Sequence, residues 1–370
     1  MYRSDQFKQV DDETFTLSIP KDGDFRILQL TDLHLGFGLL SKGADKLALE
    51  AVRKLIEISR PHLIVLTGDL IFPFLPKSGT LNNAKQAKKL MEFLDRFELP
   101  YTLVFGNHDC EMFATCGKEE LAELYKQGNY CIFTEGRKNL TGVGNFLIEL
   151  VDGSGKVLLP LVMLDSNMYG EGGWFFSGFD RIHDDQVDWC MERLTALKQE
   201  DPGIKGMAFF HMPLREMKEA YEKMKLGDKS VIYRHGSIAE KDEYFGISKF
   251  KGTFFDRAAE NGVIKWTFCG HDHLNTLSLV YKGIQMTYGM SIDYLAYKDI
   301  RKSYIQRGGT LITRKTDGNV DITMVPIGSV VSTRVRGVKE TTIQTSRTRA
   351  PYERRAPAGK TVRRRGMRWQ

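Results

Sequence analysis

The sequence predicts an α/β protein built on buried, largely parallel strands, and three observations carry that prediction. Phe25–Leu30, His62–Leu66 and Tyr101–Val104 are short, nearly unbroken apolar runs, the pattern of strands covered on both faces. Between them, residues 44–59 and 83–97 place apolar side chains at helical spacing, through Leu47, Val52, Leu55 and Ile56 and then Ala87, Leu90, Met91 and Leu94. Strand, helix, strand, helix, strand in that order is the signature of right-handed βαβ units. Third, each strand ends in side chains that ligate metals, and open α/β sheets build their sites at such strand ends.

The elements follow in order. Residues 1–24 form a polar N-terminal extension with one expected edge strand, Thr14–Ile19. Pro61 ends the first helix before the second buried strand. From 130 the character changes: 130–133, 144–151 and 157–164 read as strands joined by turns such as Asp152-Gly153-Ser154-Gly155, so antiparallel hairpins are expected. A Gly/aromatic loop, 168–182, precedes a helix at 183–198, with His183 at its start. Gly206–Phe210 is a further strand. Residues 214–250 are charged and irregular apart from a short helix near 215–225. A helix at 253–261, a strand at 263–268 and strands at 276–281, 284–288, 309–314 and 320–325 complete a folded body expected to span 25–333.

Composition places the body among water-soluble globular proteins, with 42% apolar and 27% charged residues. No run approaches the roughly 18 apolar residues of a membrane span. The polar start, Met1–Lys8, lacks the apolar segment of a secretory signal, so a cytoplasmic protein is expected. Cys110, Cys116, Cys131, Cys190 and Cys269 are odd in number and scattered without a C-x-x-C pair. Reduced thiols are expected rather than disulfides or a structural zinc site. The net charge of +6 hides an asymmetry: 334–370 holds 12 basic and 2 acidic residues, and the remainder 41 basic and 45 acidic. The basic stretch, with Arg354-Arg355 and Arg363-Arg364-Arg365, is expected to be a disordered tail, and such clusters can contact nucleic acid.

The chemistry concentrates at five strand ends. These carry Asp32 and His34, Asp69, Asn107 and His108, His211, and His271 with His273. Singly, Asp-x-His or Gly-Asp after a strand is an ordinary turn. All five in succession, taking five of the eight histidines, are not. Carboxylate, amide and imidazole donors without thiolates suit Mn, Fe, Zn or Co. Seven ligands suit two ions better than one, and a two-ion site needs a bridging carboxylate. Asp69, the lone ligand of its strand, is the natural bridge.

Together, Asp32-x-His34, Gly68-Asp69, Gly106-Asn107-His108-Asp109, His211 and Gly270-His271-x-His273 resemble the motifs of the calcineurin-like metallophosphoesterase superfamily, over roughly 25–290. The resemblance implies two β-sheets flanked by helices in an αββα stack, with two divalent ions at the sheet edge. It assigns Asp32, His34, Asp69 and His273 to the first ion and Asp69, Asn107, His211 and His271 to the second. It makes Asn107 and His108 phosphate-binding residues, His108 the proton donor to the leaving oxygen, and Asp109 its orienting partner. The implied reaction is in-line attack of a metal-bridging hydroxide on a phosphate ester, most simply a monoester. A phosphodiesterase on cyclic nucleotides or glycerophosphodiesters is the alternative, and a non-catalytic metal-binding scaffold a third reading.

Within that superfamily the spacing is similar to the purple-acid-phosphatase-related branch, with one departure. The tyrosine that would bind ferric iron is Phe72 here, which cannot ligate a metal. No purple ferric centre is expected. Loop 168–182, with Trp174, Phe175 and Phe176, and segment 214–250 are the expected specificity elements. Tyr294 and Tyr297 are placed near the rim, Arg215 is expected to be a solvated surface arginine rather than a phosphate contact, and Cys110 is expected to be structural.

Overall fold

The computed structural model describes residues 6–20, 23–111, 113–171, 178–297, 300, 307–327, 334–335 and 338–339. The parallel motif expected near the N-terminus forms one face of the molecule. Strands β3 (Phe25–Leu30), β4 (Leu63–Thr67) and β5 (Tyr101–Val104) lie side by side and parallel. The antiparallel pair β13 (Gly308–Arg314) and β14 (Val320–Pro326) extends them, giving a five-stranded sheet of order β14-β13-β3-β4-β5.

The second sheet has nine strands. Its hairpins are β1 (Phe7–Asp11) with β2 (Thr14–Ser18), β6 (Phe146–Val151) with β7 (Val157–Met163), and β11 (Ser278–Tyr281) with β12 (Ile284–Tyr288). With β8 (Gly206–Phe209), β9 (Val231–His235) and β10 (Ile264–Cys269) the order is β1-β2-β6-β7-β8-β10-β12-β11-β9. The strand expected at an edge, 14–19, is β2, and it lies inside the sheet, antiparallel to β1 on one side and parallel to β6 on the other. The run 130–133 is not a strand: buried Cys131 makes a single bridge to Tyr101 at the edge of β5.

The period of two along each strand sets the layers. Phe146, Ile148, Leu161 and Phe209 face the five-stranded sheet and join Ile27, Ile64 and Leu66 in one core. Their neighbours Leu147, Val162, Ala208 and Phe210 point the other way, into a second core. Helices α1 (Lys42–Ser59), α2 (Leu75–Ser78), α3 (Asn83–Leu94) and α4 (Lys118–Tyr125) follow the strands of the first sheet. Helices α5 (Asp184–Glu200), α6 (Arg215–Lys225) and α7 (Phe254–Asn261) close the second core. The result is the helix, sheet, sheet, helix stack expected from the motifs. The described part of 328–370 is a two-rung ladder, Arg334–Val335 against Val338–Lys339; the Arg354 and Arg363 clusters lie outside the described residues. No helix is long and apolar enough to cross a membrane among the described residues.

Candidate metal centre

The five ligand-bearing strand ends meet where the two sheets abut. The oxygen donors Asp32, Asp69 and Asn107 come from β3, β4 and β5, with His34; the imidazoles of His211, His271 and His273 come from β8 and β10. Backbone bonds run sideways between the turns: Asp32 N donates to Gly68 O (3.1 Å) and His34 N to Asp69 O (3.0 Å). Asp32, His34, Asp69 and His271 all have left-handed backbones, φ 51°, 46°, 52° and 75°. Such conformations cost of order 1–3 kcal/mol each and cluster at functional sites.

Gly106 is required by space rather than by a left-handed backbone: a Cβ there would lie 2.2 Å from Asp69 Oδ1. Gly68 is required on both counts, with φ +84° and a hypothetical Cβ 2.5 Å from His211 Nδ1.

Two groups of side chains are close enough to hold a cation. One is Asp32, His34, Asp69 and His273, the other Asp69, His211 and His271. His34 Nε2 lies 3.1 Å from His273 Nε2 and 3.7 Å from Asp69 Oδ2. Asp69 Oδ2 is 3.3 Å from His211 Nε2, which is also 3.3 Å from His271 Nδ1 and from Asn107 Oδ1. His211 Nδ1 donates to Thr67 O (2.8 Å), which leaves Nε2 as the nitrogen that faces Asp69. Asp69 Oδ2 is buried and accepts no hydrogen bond among the described residues. A bare buried carboxylate oxygen ringed by imidazole nitrogens fits a bound cation far better than an empty cage.

The protonation pattern agrees. Against burial, the Asp69 and Asp32 carboxylates push His211 up to about 9. Against burial, Asp293 and Asp32 push His273 up to about 9. Burial drives His34 down to about 3, and burial with the charge on His211 holds His271 well below its usual range. Against burial, Asp69 stays well below the carboxylate range, because His211, His108 and His34 face it.

Asp109 does not orient His108. Its carboxylate accepts backbone N–H bonds from Gly106 (2.7 Å), Leu70 (2.8 Å), Asp69 (3.1 Å) and Ile71 (3.1 Å), stapling the β4 turn to the β5 turn. Its oxygens are thereby committed to main chain. The partner of His108 is Glu111, whose Oε2 lies 2.9 Å from Nδ1. His108 N donates to Asp69 Oδ1 (2.8 Å), and its ring packs edge-on with His34 and Phe72, each at 5.2 Å. Phe72 is thus an apolar wall beside His34 and His108.

Three contacts to the ligand residues have no motif in the sequence. Asp293 Oδ2 lies 3.3 Å from His273 Nδ1, and its carboxylate is held by the amides of Leu295, Ala296 and Tyr297. Tyr169 Oη accepts from Asn107 Nδ2 (3.4 Å), and Phe179 packs edge-on against His271 at 4.3 Å. Asp293 gives no sequence signal because it sits beyond the last motif in an unremarkable Ser-Ile-Asp stretch. Of the other rim candidates, Tyr297 packs on His273 at 5.2 Å, while Tyr294 is buried under Arg307 and Arg215 bonds Ser248 O (3.1 Å). Trp174, Phe175 and Phe176 lie outside the described residues. The five cysteines are free, and burial raises the Cys110 thiol.

Comparison with known proteins points the same way. The profile of the calcineurin-like phosphoesterase family matches residues 25–275. The chain is similar to probable inactive purple acid phosphatase 28 of Arabidopsis thaliana, 26% identical over 75% of this chain and 72% of that protein. It is 29% identical to phosphatase DCR2 of Saccharomyces cerevisiae over 74% of this chain, which spans only 48% of DCR2. A dimetal phosphatase from Danio rerio shares the fold, with a TM-score of 0.53 at 12% identity, over 87% of this chain and all of that one.

Proposed function

The chain belongs to the calcineurin-like phosphoesterase family, hydrolases of phosphate esters, and we propose that it cleaves phosphomonoesters with two divalent cations held where the sheets meet. The observation that carries this reading is Asp69, whose carboxylate belongs to both cation-binding groups. In this reading Asp32, His34, Asp69 and His273 hold one ion, and Asp69, Asn107, His211 and His271 the other. The donor set suits Mn, Fe or Zn. When bound, the ions supply Lewis-acid charge for phosphoryl oxygens and acidify water.

The rest is the work of the chain's own residues. His108 stands at the edge of the cluster, its side chain 28% exposed where His34 and His211 are sealed. Against burial, Asp69 and Glu111 raise its pKa, which favours the protonated ring a general acid requires. Glu111 accepts the Nδ1 proton and fixes the ring, so that Nε2 serves the leaving oxygen. Asn107 and His108 together bind the phosphate, and Asp109 sets the turn that presents them. Phosphoryl transfer asks mainly for positioning and charge.

The monoester preference rests on the phosphatase names of two relatives. The word inactive in the Arabidopsis name describes that protein; here no ligand position is missing. The test is turnover of a chromogenic monoester and a chromogenic diester by metal-stripped protein, with Mn²⁺, Zn²⁺ or Fe²⁺ restored. Metal-dependent monoester hydrolysis, lost in Asn107→Ala/His108→Ala, is the expected result. Diester preference would replace the monoester half of the reading. Two bound ions with no turnover of either ester would replace the enzyme with a scaffold.

A further inference from the structure

We propose that the open trough between α1 and α3 is a docking site for an acidic, apolar-anchored peptide segment of a partner protein. The two helices face each other across a cleft of about 820 Å³, separate from the metal ligands. The α1 face runs from Lys42 to Arg53 and the α3 face from Asn82 to Phe93. At 1.5 Å per residue each wall is about 16 Å long, the length of about five extended residues or three helical turns.

The floor is apolar, formed by half-buried Phe37, Leu49 and Phe93, and Leu39 stands 77% exposed at one end. The rim is cationic. Lys42, Lys46, Lys85 and Lys89 line it, and none forms an ion pair with another described residue. Lys89 Nζ instead donates to Phe37 O (3.4 Å) and lies 5.3 Å from the centre of the Phe37 ring.

The two acids in the cleft are already engaged. Asp45 accepts from Gly36 N, Phe37 N and Ser41 Oγ, and Glu50 pairs with Arg53. With Arg53, five cations line the cleft against these two carboxylates, so it is net positive on a body whose residues 1–333 carry an acidic excess. An apolar floor with a lysine rim free of ion pairs among the described residues is complementary to a segment alternating acidic and apolar side chains. The chain's own tail is excluded by sign, with 12 basic and 2 acidic residues.

The trough also adjoins the metal centre. Phe37 follows His34 by three positions, and Gln86 Nε2 donates both to Gly36 O (2.6 Å) and to Phe72 O (3.1 Å). Phe72 packs on His34 and His108. A segment seated in the trough would present the protein that carries it beside the catalytic edge.

The proposal concerns binding and stands whether or not the catalytic reading does. Its test is fluorescence anisotropy of the full chain with labelled 12-residue peptides of Glu and Asp carrying paired Leu residues at two or four positions' spacing. Salt-sensitive binding is expected, reduced about tenfold or more in Lys42→Ala/Lys46→Ala/Lys85→Ala/Lys89→Ala. Lys156→Ala/Lys229→Ala, on the other side of the fold, is expected to bind as the unaltered chain does. An unchanged melting temperature in the quadruple variant separates lost binding from lost folding, and Lys46→Glu alone serves if that variant is unstable. No binding of any peptide, or binding indifferent to the trough lysines, overturns the proposal. So does binding confined to anionic phospholipid vesicles or to ATP.

Discussion

The two sheets contribute opposite halves of the metal centre. The five-stranded sheet brings the oxygens of Asp32, Asp69 and Asn107, and the nine-stranded sheet brings the imidazoles of His211, His271 and His273, with His34 the one exception. The halves are also held differently. The oxygen half is fixed by main chain: the Asp109 staple and the lateral amide bonds lock adjacent turns together. The imidazole half is held largely through side chains: His211 on Thr67 O, His271 by its N–H on the Asp32 carboxylate and by the Phe179 ring, and His273 by Asp293 and Tyr297. The centre is thus a preformed acidic cradle onto which a second sheet lowers three rings.

The largest test of that contrast removes the shared carboxylate. Asp69→Asn is expected to abolish turnover and to lower bound metal, read by elemental analysis, because it strips both cation-binding groups at once. His108→Ala comes next. It is expected to lower kcat by about 10²–10⁴-fold while metal content stays constant, since the ring is not needed to hold an ion. Glu111→Gln should fall between that variant and the parent. Its loss should grow as the leaving group becomes poorer, a dependence that a purely structural role would not produce.

Asp293→Asn probes the imidazole half alone. Loss of about 10–100-fold in metal affinity is expected, since partners of ligating histidines tune them to that extent. Smallest is a pH effect. The metal-free protein gains stability from protonated His211 and His273, whose pKa values rise from 6.5 to about 9 on folding. That contribution is full below 6.5 and is lost as pH rises through about 9. Metal loading displaces the same protons, so affinity should rise over this window and proton release should be measurable by calorimetry. A flat metal affinity between pH 6.5 and about 9 would sink this account.

How much of this the sequence disclosed follows from how each residue announces itself. The βαβ start and the five ligand-bearing strand ends were legible because apolar runs and metal-binding residues are both local signals. The αββα stack came with the motifs rather than with the periodicity. Three features were not local. Asp109 looked like a partner for its neighbour His108, but side chains adjacent in a turn need not meet, and four amides claimed it. Glu111 and Asp293 act through contacts that only the fold creates. Strand β9 gives no clear sequence signal because its exposed alternate residues, Ile232 and Arg234, sit within a charged stretch at a sheet edge. The run at 130–133 misleads in the opposite direction: it is apolar because it is buried, not because it is paired.

The left-handed aspartates and histidines have one more implication. Asp32, His34, Asp69 and His271 sit in backbone conformations their side chains disfavour, so the ligand turns are poor local structures kept in place by their surroundings. Replacing such a residue with glycine relaxes the turn even as it removes a ligand. Against that relief stand the amides the two carboxylates accept, His271 N on Asp32 and His108 N on Asp69, which such a replacement would leave without a partner.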